Sequence, residues 1–418
     1  MIPNAKKHVL KNGLTILTEE IPAMRSVAMG ILVGAGSSNE ANSESGISHF
    51  IEHMLFKGTA KRSAFDIAHA LDSVGGKMNA YTSKEYTVYY AVVLDKHIDV
   101  AMDVLTDMLL NSIFDLEAMI PEKKVVLEEI NMYEDTPDEL IHDFFTEKIL
   151  QSHTLGKPII GNKETVTAIS RENMVDYMKK WYCPENTIVS VAGAIPKDLL
   201  EQLKKYLENW QGKGLVHPST PISIKGSLNL KQKKTEQVHL CLGTKGLSQS
   251  DDNRYTYSIL DNILGGSMSS RLFQEIREKR GLAYSIFSTM SPFKDFGISY
   301  VYSGTSKQNL ELVVELILKE LSSVKKNGVT AEELNKAREN IKGSMVLGLE
   351  STSSRMGWMQ KMQYYYNKIQ TIDEIFAKLD KVNLDDIIAL ANQYYRDEYL
   401  TLAVIGDMDK LPITSLSC

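Results

Sequence analysis

Residues 174–195 read MVDYMKKWYCPENTIVSVAGAI, and residues 387–408 read IIALANQYYRDEYLTLAVIGDM. Set against each other without a gap, position 174 falls on 387, an offset of 213. Trp181-Tyr182 then falls on Tyr394-Tyr395, and Gly193 on Gly406. Each copy reads as a helix, an aromatic pair, a polar turn, a β-rich run and a glycine stop. An ungapped match that closes both halves of a chain points to duplication. The expected organisation is therefore two homologous domains, 1–212 and 225–418, joined through the Gly- and Pro-bearing stretch 212–221. A length of 418 residues agrees, being too great for one ordinary core.

Within the first half, 14–18 and 27–33 read as strands. A helix over 63–74 is stopped by Gly75-Gly76. Strands follow at 77–82 and at 86–94, the latter rich in Tyr and Val. Helical patterns dominate from 96 to 180 before a closing strand at 187–192. The second half repeats the scheme, with strands near 238–243, 283–290 and 298–303 and long helices from 308 onward. Strands grouped by short turns and followed by a helical stretch predict an α+β fold, each domain a mostly antiparallel sheet packed with helices.

Composition narrows the function. Charged residues make up 24% and hydrophobic ones 43%, as in ordinary globular proteins. A net charge of −6 gives no electrostatic drive toward nucleic acid or anionic membranes. Cys183, Cys241 and Cys418 are widely spaced and odd in number, which reads as free thiols in a reducing compartment. Residues 1–17 alternate polar and apolar, unlike a signal peptide, and no run reaches the roughly 18 apolar residues of a membrane span. The expectation is a cytoplasmic protein. Gly34-Ala35-Gly36-Ser37 and Gly265-Gly266-Ser267 carry neither a Walker lysine nor a dinucleotide fingerprint, and read as turns.

The chemistry lies in His49-Phe50-Ile51-Glu52-His53, an H-x-x-E-H sequence. On a helix, positions 49, 52 and 53 share one face. Two neutral imidazoles there can bind one zinc ion, and the carboxylate between them can take a proton from water. Ile47, Phe50, Ile51, Met54, Leu55 and Phe56 make the helix largely buried, where unpaired imidazoles would be costly. A catalytic zinc usually has a third protein ligand. The stretch Pro121–Ile130 offers Glu122 and Glu129, two helical turns apart on one face, with Glu128 pointing about 100° away. Taken without the histidines, the same stretch reads as a solvated charged face with Lys124 and Glu128 paired.

With both elements in place, the chain resembles the insulinase, or pitrilysin-like, zinc peptidases, in the branch of short bacterial and mitochondrial processing peptidases. The resemblance spans almost the whole chain. It rests on H-F-I-E-H at 49–53 and on Glu122 and Glu129, the latter 76 residues beyond His53. It implies one zinc per chain held by His49, His53 and Glu129, with Glu52 as general base and Glu122 organising the site. Gly75-Gly76-Lys77-Met78-Asn79-Ala80-Tyr81-Thr82 is similar to the family's active-site edge strand, which implies peptide binding along Asn79, Ala80 and Tyr81 by strand addition. Arg277 and Tyr284, in an R-x6-Y pattern, match the pair that reaches the site from the opposing half, where they would steady a carbonyl and an oxyanion.

The resemblance further implies an endopeptidase acting on unfolded peptides or pre-sequences. The expected assembly is a homodimer, or a heterodimer with an inactive relative. A noncatalytic partner subunit and a peptide-binding module of the same fold are the alternatives. The intact 49, 52, 53 and 129 set speaks against the first, and the lack of a fourth ligand speaks against a purely structural zinc.

Overall fold

Two sheets organise the chain, and the repeat is visible in both. The computed structural model describes residues 5–151, 153–214 and 222–418, so the linker stretch 215–221 lies outside the described residues. The first sheet comprises β1 (Ala5–Val9), β2 (Thr15–Glu20), β3 (Ser26–Val33), β4 (Lys77–Thr82), β5 (Thr87–Leu94) and β6 (Thr187–Gly193). Their order is β1-β2-β6-β3-β5-β4, antiparallel except for β2 beside β6. The second sheet comprises β7 (Ser227–Gln232), β8 (Val238–Gly246), β9 (Ala283–Pro292), β10 (Gly297–Thr305) and β11 (Thr401–Gly406), ordered β7-β11-β8-β10-β9. Here β7 beside β11 is the parallel pair. The α+β expectation of two mostly antiparallel sheets with helices is met.

The duplication extends to single hydrogen bonds. The helix Arg171–Trp181 is capped by Ser170, whose side chain accepts from Asn173 N, with Asn173 Oδ1 accepting from Ser170 N. At the same offset of 213, Asn383 and Asp386 make the same reciprocal pair at the start of the helix Leu384–Tyr394. Such boxes satisfy two otherwise orphaned N–H groups.

One face of the first sheet carries the main core, in which Met29, Ile31, Tyr89 and Val191 meet helices α1 (Ile47–Leu55), α2 (Ala64–Asp72), α3 (Ile98–Asn111) and α4 (Leu116–Glu134). On the other face, Leu17, Ala28, Leu32, Val88 and Ile188 pack on Met356 and Met359 of the helix Thr352–Tyr366. That helix comes from the second half of the sequence. Reciprocally, α5 (Pro137–Leu150), from the first half, packs Leu140, Ile141, Phe145 and Ile149 with Cys241, Tyr300 and Ala403 of the second sheet. The compact units are therefore 1–131, 157–218 and 346–372 on one side, and 132–156, 219–345 and 373–418 on the other.

Glycines at equivalent positions admit the exchanged helices. A Cβ on Gly243 of β8 would lie 2.7 Å from the Phe145 ring of α5, and one on Gly30 of β3 would run into Met356 Sδ. Here glycine supplies close approach to backbone, not an unusual φ.

Candidate metal centre

Helix α1 has little freedom to rotate. Ile47, Phe50, Ile51, Met54 and Leu55 are fully buried on one side, which leaves His49, Glu52 and His53 on the half-buried side. Its first turn is fixed by Glu40, whose two carboxylate oxygens accept from Gly46 N at 2.8 Å and Ser48 N at 2.9 Å. A carboxylate at a helix N-terminus caps orphaned N–H groups. Burial pushes Glu40 up to about 8 against those two donors. Gly46 takes φ +92° to turn into the helix.

Helix α4 supplies the facing carboxylates. Asp115 caps it by accepting from Ala118 N at 2.8 Å, so the helix begins five residues before the Pro121 at which the sequence pattern becomes readable. Glu122 and Glu129 both project toward α1, while Glu128 is exposed. Glu129 Oε2 lies 3.9 Å from His49 Nε2 and 3.6 Å from His53 Nε2, and one donor atom from each of the three residues falls within 4.8 Å of the others. Zinc bonds of about 2.0–2.1 Å in a tetrahedral set separate neighbouring ligand atoms by about 3.4 Å. The donor set and its spacing fit a zinc ion. Burial, reinforced by His53 beside it, pulls His49 down to about 4, so its ring is neutral and able to ligate.

Around these three, two carboxylates have distinct settings. Glu122, 6% exposed, places Oε1 2.8 Å from His53 Nδ1 and Oε2 2.6 Å from Lys57 Nζ. Glu52 Oε2 accepts from Thr82 Oγ1 at 2.5 Å. Burial pushes the Glu52 carboxyl up, and the Thr82 hydrogen bond works against that. Neither Lys57 nor Thr82 was singled out as an individual site residue by sequence reasoning. Lys57 sits one turn beyond His53, a spacing that could have flagged it. Thr82 lies two strand positions past Ala80 and gives no such sign.

Asn79, Ala80 and Tyr81 lie on β4, the outermost strand of the first sheet, which packs beside α1. Asn79 Oδ1 accepts from Ala80 N at 2.8 Å, so that oxygen is engaged within its own strand. Arg277 and Tyr284 belong to the second unit and come together there. The guanidinium of Arg277 lies 5.2 Å from the Tyr284 ring centre and 4.6 Å from that of Phe273, and Tyr284 is 79% exposed.

Comparison with known proteins agrees with this geometry. A family model described as insulinase (peptidase family M16) matches residues 15–163, and one described as the peptidase M16 inactive domain matches 168–341. An uncharacterized zinc protease of Bacillus subtilis is 42% identical over 97% of this chain and 99% of its own length. One from Mycobacterium tuberculosis is 36% identical over 96% and 93%. Among solved structures, a protease from Helicobacter pylori superposes with a TM-score of 0.90 at 23% identity, over 97% of this chain and 100% of that one. A chain of complex III2 from Candida albicans does so with 0.83 at 19% identity, over 97% of each. These last two likenesses speak to the fold. From the family matches and the near full-length relatives, this chain belongs to the insulinase, or M16, family of peptidases.

Proposed function

We propose that the chain is a zinc-dependent endopeptidase that cuts extended peptides by hydrolysis. The observation that carries this reading is the convergence of His49, His53 and Glu129 beside a carboxylate, Glu52, held in a defined orientation by Thr82. His49, His53 and Glu129 would hold one zinc ion per chain. Bound there, zinc supplies Lewis acidity, which makes water nucleophilic near neutral pH and polarises a carbonyl. The protein groups supply the rest. With Oε2 tied to Thr82, Glu52 Oε1 is left to take a proton from water and return it to the leaving amine. The open edge of β4 offers main-chain hydrogen bonds to a peptide laid alongside Asn79, Ala80 and Tyr81, which favours unfolded segments and pre-sequences over folded protein.

The finer reading is a homodimer in which Arg277 and Tyr284 of a second copy contribute to each site. The exposure of Tyr284 and its stacking with Arg277 support it, since the pair is preassembled and open to a ligand. Cys183, Cys241 and Cys418 are unpaired, which supports a cytoplasmic location. No helix among the described residues is long and apolar enough to cross a membrane.

The test is zinc content and peptide cleavage measured on one preparation of wild type and of Glu52→Gln. We expect one zinc per chain in both, with chelator-sensitive cleavage at least about 100-fold slower in the variant. Zinc without cleavage in wild type, across a broad peptide library, would instead mark a noncatalytic subunit.

A further inference from the structure

We infer that Lys57 is a positioning residue of the zinc site, holding Glu122 so that Glu122 in turn fixes the ring of His53. This rests on the zinc reading above. The chain of contacts is continuous: Lys57 Nζ to Glu122 Oε2 at 2.6 Å, then Glu122 Oε1 to His53 Nδ1 at 2.8 Å. A ligating histidine is oriented by what its other ring nitrogen donates to, and losing that partner typically costs about 10- to 100-fold in metal affinity or activity. Here the partner is a carboxylate 6% exposed. A charge that buried needs a compensating charge. A histidine that ligates zinc supplies Glu122 a hydrogen bond without a charge, and the cation in contact with Glu122 is Lys57.

The backbone around Lys57 is built to keep the ammonium in place. Its N–H donates to Met54 O at 3.1 Å, closing the last turn of α1, so His53 and Lys57 stand one turn apart on nearly the same face. Gly58 follows with φ +140°, a backbone that L side chains rarely adopt, and turns the chain back toward α3. The return is clamped by Asp107, which accepts from Thr59 Oγ1 at 2.7 Å, Arg62 NH1 at 2.6 Å and Asn111 Nδ2 at 2.8 Å. Lys57 thus extends from an anchored turn. Glu122 has a fixed cation on one oxygen and a fixed ring on the other.

The experiment measures zinc affinity by competition with a chromogenic chelator, and thermal unfolding with zinc and with excess chelator. It compares wild type, Lys57→Met, Lys57→Gln and Lys57→Arg. We expect zinc to bind about 10- to 100-fold more weakly to the Met and Gln variants. Their unfolding midpoints without zinc should fall, because Glu122 is left buried without its cation, and the rise on adding zinc should shrink as well. Arginine, which restores a cation, should recover affinity to within about threefold. Zinc affinity equal to wild type in the Met and Gln variants overturns the inference and leaves the peptidase reading standing. A lowered zinc-free midpoint with an unchanged zinc-dependent rise also overturns it, because Lys57 would then serve folding alone. A wild type that binds no zinc overturns both.

Discussion

Arg271 meets Glu333 edge-on, with Nε 2.7 Å from Oε1 and NH2 2.8 Å from Oε2. The guanidinium, helped by Thr330 N–H, holds the Glu333 carboxyl down to about 2. A carboxylate depressed in the folded state stabilises the fold above its ordinary value near 4.5, and that contribution is lost as pH falls from there toward 2. Glu333→Gln keeps an acceptor for Thr330 N but loses the ion pair. Urea midpoints should therefore place the variant on the order of 1 kcal/mol below wild type at pH 7, after solvent screening, with the gap closing by pH 2. At the same scale, single residues differed in how far spacing revealed them. His49, Glu52 and His53 were legible because helical period puts them on one face, whereas Glu122 and Glu129 shared a face by period but took their expected roles from the family resemblance. Glu40 was not, since its role depends on a loop returning to cap α1 at Gly46 and Ser48.

At the scale of elements, β4 does two things at once. It is the outermost strand of its sheet, and its last residue, Thr82, holds Glu52. A peptide added along β4 would thus lie on the element that orients the proposed base, Glu52. Thr82→Val keeps the β-branched shape and removes the donor. We expect kcat to fall about tenfold or more, with KM and zinc content little changed, and Thr82→Ser to recover most of the rate. Steady-state kinetics on one peptide substrate decides it, and equal kcat for the Val variant and wild type would exclude a role for the hydroxyl. The strand itself was legible from Gly75-Gly76 and the alternation after it. Two others were not read: β1, with its mostly exposed AKKHV, and β7, with SLNLKQ, lack an apolar face strong enough to announce a strand. Both are edge strands whose pairing comes from a neighbour. The parallel pairs β2 with β6 and β7 with β11 join segments far apart in sequence, which local pattern does not encode.

At the scale of the whole chain, duplication was legible and the exchange of helices was not. A constant offset shows that two segments are copies, but linear order does not say which sheet a helix buries against. The helix Thr352–Tyr366 is tied into the first unit by an ion pair, Arg355 NH1 to Glu19 Oε1 at 2.5 Å, with Glu19 only 3% exposed. Ser190 Oγ donates to Met356 O at 3.1 Å beside it. The two partners of the ion pair lie 336 residues apart, so it forms only when the exchange is complete. Breaking a buried pair from one side strands the other charge, at about 3–5 kcal/mol, whereas replacing both partners with apolar groups of similar volume is often close to neutral. Arg355→Met should therefore lower stability by about that amount, and Glu19→Met by less, because an arginine can swing its longer chain toward water. The double variant Glu19→Met with Arg355→Met should recover most of the loss. Denaturant unfolding of the four proteins completes the cycle. Additive losses in the double variant would show that the pair is not the tie, leaving Met356 and Met359 packing to hold the helix on the sheet.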